Sequence, residues 1–181
     1  SFVCQTCDAN LYRNSLDPHN YCIPESMFLP KTGKNDPGQL MMPCSTGCNA
    51  CLQNYQVCTA CDYLAASPND YWLDGTVCVQ GSAITGSKGK NTQTGSLTNC
   101  QTANCSDCKS DYRVCLACDA ATDWWLNGSV CVNTSGIPAG YGKIGTTGRL
   151  ALCPVGCIDC RSDSAQCTTG DTSRDYWMHN S

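Results

Sequence analysis

Cysteine supplies most of the reactive side chains in this chain, and its spacing is the first clue to what they do. There are 19 cysteines in 181 residues, and six Cys-x-x-Cys pairs open at Cys4, Cys48, Cys58, Cys105, Cys115 and Cys157. Such a pair can hold zinc, cycle between dithiol and disulfide, or staple a small module. Cys48-x2-Cys51 and Cys58-x2-Cys61 would give zinc four thiolates, but structural zinc sites usually space their two knuckles more widely. That reading also leaves Cys44 and Cys78 unexplained. The two histidines, His19 and His179, sit near no repeated thiol pair. A redox pair works at a helix N-terminus in a βαβ setting, and no helical period follows any copy here. Neither a metal nor a cofactor is therefore expected, and stapling is the reading that remains.

Composition and repetition say what must position these sulfurs. A cysteine content above a tenth belongs to disulfide-rich secreted scaffolds. Only two Phe are present, and much of the apolar fraction is Cys itself. The chain is long enough for a large core but lacks the residues to fill one, so small stapled modules are the expected solution. The net charge is −4 with no basic cluster, which argues against a nucleic-acid partner. No apolar run approaches the roughly 18 residues that cross a bilayer, so no membrane span is expected in this chain. Without an initiator Met or a signal peptide, Ser1 reads as the start of a processed chain or of a fragment.

The stretches CTACDYLAASPNDYWLDGTVC (58–78) and CLACDAATDWWLNGSVC (115–131) are copies of one pattern. Each follows a cluster, Cys44, Cys48 and Cys51 or Cys100, Cys105 and Cys108. The whole tile is C-x3/4-C-x2-C-x6-C-x2-C-x12/16-C, with a period of roughly 52–57 residues. The N-terminal part holds the last three cysteines, Cys4, Cys7 and Cys22. The C-terminal part holds the first four, Cys153, Cys157, Cys160 and Cys167, with Gly170 at the fifth position. The organisation is therefore a partial repeat over 1–43, full repeats over 44–99 and 100–152, and a partial repeat over 153–181.

Between tiles, Cys22 to Cys44, Cys78 to Cys100 and Cys131 to Cys153 each span 22 positions. All three carry Gly-Lys 11 residues before the closing cysteine: Gly33-Lys34, Gly89-Lys90 and Gly142-Lys143. A Gly follows, and two residues later a Leu: Leu40, Leu97 and Leu150. Loop closure costs little per added residue, so floppy linkers drift in length. Three equal lengths point to an ordered, hairpin-like segment. The Gly-Lys pairs lack the spacing of a phosphate loop and read as Lys on a turn.

Six cysteines allow 15 pairings, and spacing alone does not choose among them. The C-terminal part-tile loses its fifth and sixth cysteines together. That is expected if these two are partners, giving Cys7–Cys22, Cys61–Cys78 and Cys118–Cys131. The first four then pair among themselves.

In its cysteine cluster, its following Cys-x-x-Cys and its aromatic-Leu-Gly-Cys hairpin, the chain resembles the growth-factor-receptor-type, or furin-like, cysteine-rich repeats. Similar repeats form long arrays in protist surface proteins, notably of ciliates. The resemblance implies pairing of first with third and second with fourth, and a single-bridge module for the last two. On this chain that means Cys44–Cys51, Cys48–Cys58, Cys100–Cys108, Cys105–Cys115, Cys153–Cys160 and Cys157–Cys167. The family usually places further cysteines in the 22-position stretch, where this chain has none. Cys4 is left over, unpaired or bonded to another molecule.

Asp74-Gly75 and Asn127-Gly128 are two-residue turn signals for type I′ hairpins, flanked by β-favouring residues. Trp72, Trp124, Trp125 and Trp177 recur there, and their rings are expected to cover the nearby disulfides. Asn127 and Asn133 head N-glycosylation sequons, and Asn104 heads a third whose middle residue is Cys105. The segment 92–98 is rich enough in Thr and Ser for O-linked sugar. Enzymatic chemistry finds no foothold: the chain has one glutamate, Glu25, and no Ser or Cys nucleophile with an obvious histidine beside it.

The expected fold is small, disulfide-rich and mostly irregular with short β-hairpins and little or no helix, drawn out as an elongated tandem-repeat rod. Each bridge contributes about 2–4 kcal/mol by restricting the unfolded chain. The expected setting is extracellular or at the cell surface. The expected role is that of a structural subunit of a coat or filament; the alternative is a receptor-like or adhesin module that binds a protein or glycan. The tail DYWMHNS joined to the head SFVC resembles the internal DYWLDGTVC. Head-to-tail self-association into a homopolymer would rebuild a tile across two chains; other surface proteins are the second class of partner.

Overall fold

The computed structural model describes residues 5–174. Cys4, Trp177, His179 and both chain ends therefore lie outside the described residues. The chain divides into two compact units, Ser1–Ile84 with Asn91–Leu97, and Thr85–Lys90 with Thr98–Ser181. Strands are two to four residues long, single 3-10 turns punctuate them, and no α-helix occurs among the described residues. This is the small, disulfide-rich, hairpin-based fold that the composition calls for. Most fully buried side chains are cysteines, with Met41, Trp72, Ile84, Trp125 and Ile137 beside them.

Two kinds of hairpin recur. The first closes a tile: Leu11–Asn14 with Cys22–Pro24, Tyr71–Asp74 with Val77–Gln80, and Trp124–Asn127 with Val130–Asn133. In the latter two, Asp74 faces Val77 and Asn127 faces Val130 across two-residue turns. Gly75 and Gly128 take the first loop position at φ 64, and Thr76 and Ser129 after them are not at positive φ, so the type I′ expectation is corrected to the pattern of a II′ turn, with Gly first. A 3-10 turn follows each closing hairpin, at Glu25–Met27, Gly81–Ala83 and Thr134–Gly136. The chain then resumes extended at Phe28, Ile84 and Ile137, each six residues beyond the tile's last cysteine. Ile84 and Ile137 are buried, and Phe28 meets the Tyr12 ring edge-on at 5.4 Å.

The second kind arises from the 22-position segments. Thr32–Asn35 pairs with Leu40–Pro43, and Tyr141–Lys143 pairs with Leu150–Leu152. The middle segment contributes the strands Lys88–Asn91 and Ser96–Asn99. The later strand of each segment lies parallel to the preceding closing hairpin, opposing Leu40 to Arg13, Ser96 to Leu73 and Arg149 to Leu126. One backbone bond repeats at this junction. Arg13 N–H donates to the Gln39 carbonyl (2.7 Å), Leu73 N–H to Gly95 (3.0 Å) and Leu126 N–H to Gly148 (2.8 Å). All three acceptors have positive φ: 46, 68 and 67°.

This junction corrects the Gly-x-Leu reading of the first segment. Gln39, not Gly38, is the counterpart of Gly95 and Gly148, and Met41 stands where Leu97 and Leu150 stand. Leu40 is out of register with the other two leucines. A Gln in the left-handed region hides the equivalence that two glycines advertise.

The Gly-Lys pairs are also corrected, because they lie inside strands rather than on turns. The Lys backbone docks on the loop between a tile's third and fourth cysteines. Lys34 N–H donates to Leu52 O (3.1 Å) and Lys34 O accepts from Tyr55 N–H (2.9 Å). Lys143 N–H donates to Arg161 O (3.3 Å), Lys143 O accepts from Ser164 N–H (2.8 Å), and Lys90 O accepts from Tyr112 N–H (3.3 Å). The preceding glycine is what allows this approach. A Cβ on Gly33, Gly89 or Gly142 would stand 2.1, 2.2 or 2.0 Å from the carbonyl oxygen of Cys51, Cys108 or Cys160.

That contact yields a direct test. Gly142→Ala is expected to lose about 1–3 kcal/mol by overpacking. Gly136→Ala, whose Cβ would meet nothing closer than 3.4 Å, is expected to stay near wild type. Denaturant unfolding of both variants with disulfides intact makes the comparison.

Candidate functional site

Each tile is built around sulfur. The second and fifth cysteines face one another on a short strand pair, Cys48 with Cys61 and Cys105 with Cys118. In the last tile Gly170 takes the fifth place, opposite Cys157. The facing cysteines do not bond to each other. The first unit holds Cys7–Cys22, Cys44–Cys51, Cys48–Cys58 and Cys61–Cys78. The second holds Cys100–Cys108, Cys105–Cys115, Cys118–Cys131, Cys153–Cys160 and Cys157–Cys167. The sulfurs of Cys44, Cys48 and Cys51, of Cys48, Cys58 and Cys78, and of Cys115, Cys118 and Cys131 crowd within 4.8 Å in groups of three. Every one of them is already committed to a disulfide.

The six-residue loop between third and fourth cysteines has a device that the sequence reading missed. Asn54, Asp111 and Asp163 each lie three residues after the third cysteine. Their backbone N–H groups donate to Cys51, Cys108 and Cys160 carbonyls at 3.0, 3.1 and 3.0 Å. Their side-chain oxygens accept from the N–H two residues on, at Gln56, Arg113 and Ala165, each at 2.9 Å. These are Asx turns, which set the loop that the Lys backbone docks on. The signal was visible: Asn or Asp at one fixed offset in three copies.

The aromatic cover meets expectation at Trp124 and differs from it at Trp72 and Trp125. Tyr71 with Leu73, and Trp124 with Leu126, are the side chains packed on the cysteine clusters, joined by Tyr55 and Tyr112. Trp72 and Trp125 point the other way, because successive residues of a strand face opposite sides. Both are nonetheless buried, at 4% and 5% exposure. Each indole N–H donates to the Asp two residues earlier, Trp72 to Asp70 at 2.7 Å and Trp125 to Asp123 at 3.2 Å. Trp72 also lies 5.5 Å from the Tyr63 ring. Lys143 Nζ sits 4.9 Å from the Trp125 ring centre and 2.9 Å from Asp123. Lys34 stands likewise over Tyr12 at 5.7 Å, and Tyr12 fills the strand position of Trp72 and Trp125. The Gly-Lys motif therefore joins a glycine that fits the cysteine loop to a lysine that, at Lys34 and Lys143, stands over an aromatic ring.

The sequons occupy distinct settings. Asn127 is at the hairpin tip, beside the open Gly128. Asn133 is exposed, and its Oδ1 accepts from Gly136 N–H at 3.0 Å and Ser135 Oγ–H at 2.8 Å. Asn104 is exposed at φ 61 and precedes the bonded Cys105.

Two carboxylates are held in their charged form. Asp123 lies well below the usual carboxylate range, first through the Thr134 hydroxyl (2.6 Å), then through Lys143 and the Trp125 N–H. Asp111 is lowered to about 2 by the side chain and then the backbone N–H of Arg113. A carboxyl whose pKa falls on folding stabilises the fold above its unfolded value, about 3.9, and that stabilisation is lost as pH drops through the folded value. The melting temperature is therefore expected to fall on acidification below about pH 4. Asp123→Asn should be less stable near neutrality and should flatten that acid limb. Calorimetry across the acid range reads both effects; an unchanged acid limb in the variant would remove Asp123 from the account.

No family model, no curated protein and no solved structure matches this chain.

Proposed function

We propose that the chain is a non-catalytic, extracellular structural module: a stretch of growth-factor-receptor-type repeats serving as a subunit of a surface coat or filament. The observation that carries this reading is the recurrence of one stapled unit, nine disulfides deep, in which hairpin, Asx turn and glycine contact repeat along the chain. A scaffold whose core is covalent resists proteolysis and holds its form outside the cell, where thiols stay oxidised. Pairing of first with third, second with fourth and fifth with sixth cysteine supports the family resemblance.

The surface of the last tile supports association. Leu152, Val155 and Ile158 are 68%, 89% and 47% exposed within seven residues of chain. The counterparts of Val155 and Ile158 in the other tiles are polar, Thr46 and Thr102 for the first and Asn49 and Ser106 for the second, while Leu152 corresponds to Pro43 and Asn99. Clustered apolar exposure marks a protein contact, and a second copy of the chain is its proposed occupant. Sedimentation and electron microscopy over a rising concentration series are expected to show ordered assemblies that Ile158→Asp weakens. Single particles at every concentration would sink the coat reading and leave the receptor-like or adhesin alternative.

Glycosylation is proposed at Asn127 and Asn133. Protein secreted from a glycosylating host is expected to lose mass at both on treatment with a peptide-N-glycosidase. Asn104 is expected to remain bare, because the disulfide at Cys105 occupies the centre of its sequon.

A further inference from the structure

In each complete tile two disulfides lie against one another. Cys78 Sγ is 3.1 Å from Cys58 Sγ, and Cys58 Sγ is 3.8 Å from Cys61 Sγ, although the bonds run Cys48–Cys58 and Cys61–Cys78. Cys48 Sγ lies within 4.8 Å of both Cys58 and Cys78. The next tile repeats this arrangement, with Cys115 and Cys131 sulfurs 3.7 Å apart and Cys118 within 4.8 Å of both. In each set the sixth cysteine, Cys78 or Cys131, is half-buried while the other three are buried. The last tile differs: Gly170 replaces the fifth cysteine, and among the described residues no such group of three forms around Cys157–Cys167.

We propose that the two complete tiles are thiol–disulfide exchange sites that accept a low-molecular-weight thiol such as glutathione at the sixth cysteine and pass the bond inward to the Cys-x-Ala-Cys pair. The incoming thiolate attacks Cys78 Sγ, the Cys61–Cys78 bond breaks, a mixed disulfide forms on Cys78, and Cys61 leaves as thiolate. Cys61 then attacks Cys58 Sγ, the Cys48–Cys58 bond breaks, Cys58–Cys61 forms, and Cys48 leaves as thiolate. Cys48 attacks Cys78 Sγ, expels the small thiolate and closes Cys48–Cys78. The small thiol is returned, so the sequence is an isomerisation with no net oxidation or reduction. The first two steps in the next tile give Cys115–Cys118 and free Cys105. Sulfurs held near attack distance have a high effective concentration, and exchange rates depend on access and thiolate supply. Within each group of four crowded sulfurs, the sixth cysteine is half-buried and the other three are buried, so it is the point of entry for a small thiol.

The test is a time course of native protein in glutathione, quenched with acid, alkylated with N-ethylmaleimide and mapped by peptide mass. Peptides bridged Cys58–Cys61 and Cys115–Cys118 are expected, with Cys105 alkylated and Cys48 either alkylated or joined to Cys78. Cys157–Cys167 should pass directly to two alkylated cysteines, an internal control without a neighbour. Alkylation of Cys61 with Cys78, and of Cys118 with Cys131, while Cys48–Cys58 and Cys105–Cys115 stay intact would overturn the proposal. In a Cys61→Ser/Cys78→Ser variant, Cys48–Cys58 should open no faster than Cys157–Cys167; faster opening would also overturn it. If that variant does not fold, the wild-type map decides alone.

Discussion

The constraint on which everything else here depends is the scarcity of apolar side chains. With two Phe and 19 of its 181 residues cysteine, the chain cannot bury enough carbon to offset the entropy of ordering it. Sulfur takes over both roles of a core. It fills the centre of each tile, and its bonds restrict the unfolded chain. The strands are consequently short: the pair that carries the second and fifth cysteines has two paired positions, Cys48 with Cys61 and Ala50 with Ala60 in one tile, and hairpins finish the cover.

Building around sulfur changes what the backbone must do. A disulfide core is narrow, so neighbouring strands come close enough to touch carbonyl oxygens, and glycine is required where the second hairpin meets the Cys51, Cys108 and Cys160 loops. Asx turns fix those loops so that the Lys backbone finds its partners. The closing hairpin then sorts its residues by strand parity. Tyr71 and Trp124 go to the sulfur, whereas Trp72 and Trp125 go to the opposite face, where an Asp receives each indole N–H. One short hairpin thus serves two small cores.

The repeated contacts are backbone docking and covalent staples, and the apolar side chains left exposed at 152–158 belong to an outer surface. The same crowding of sulfurs that stabilises a tile also places alternative partners beside each bond. Rigidity and the capacity for exchange therefore have one origin, and the last tile, lacking its fifth cysteine, separates them.

Much was legible in the sequence. The tile and its part-copies follow from cysteine spacing: the second–fourth bridge closes the same length in all three copies, with a sequence separation of 10 each time, while the fifth–sixth loop varies from 13 to 17. The equal 22-position segments showed that something ordered lay between tiles, because an unstructured connection drifts in length. By itself the sequence also placed Gly170 at a fifth-cysteine position, and the register opposite Cys157 is where that residue lies. It did not determine which face each Trp takes, that Gln39 replaces a glycine, or that Gly-Lys is a docking strand instead of a turn. Those depend on contacts between residues far apart in the chain, such as Gly33 with Cys51 and Leu73 with Gly95. The same holds for the nearness of one disulfide to the next. Spacing counts residues along the chain, and only the folded backbone brings Cys78 to within 3.1 Å of Cys58.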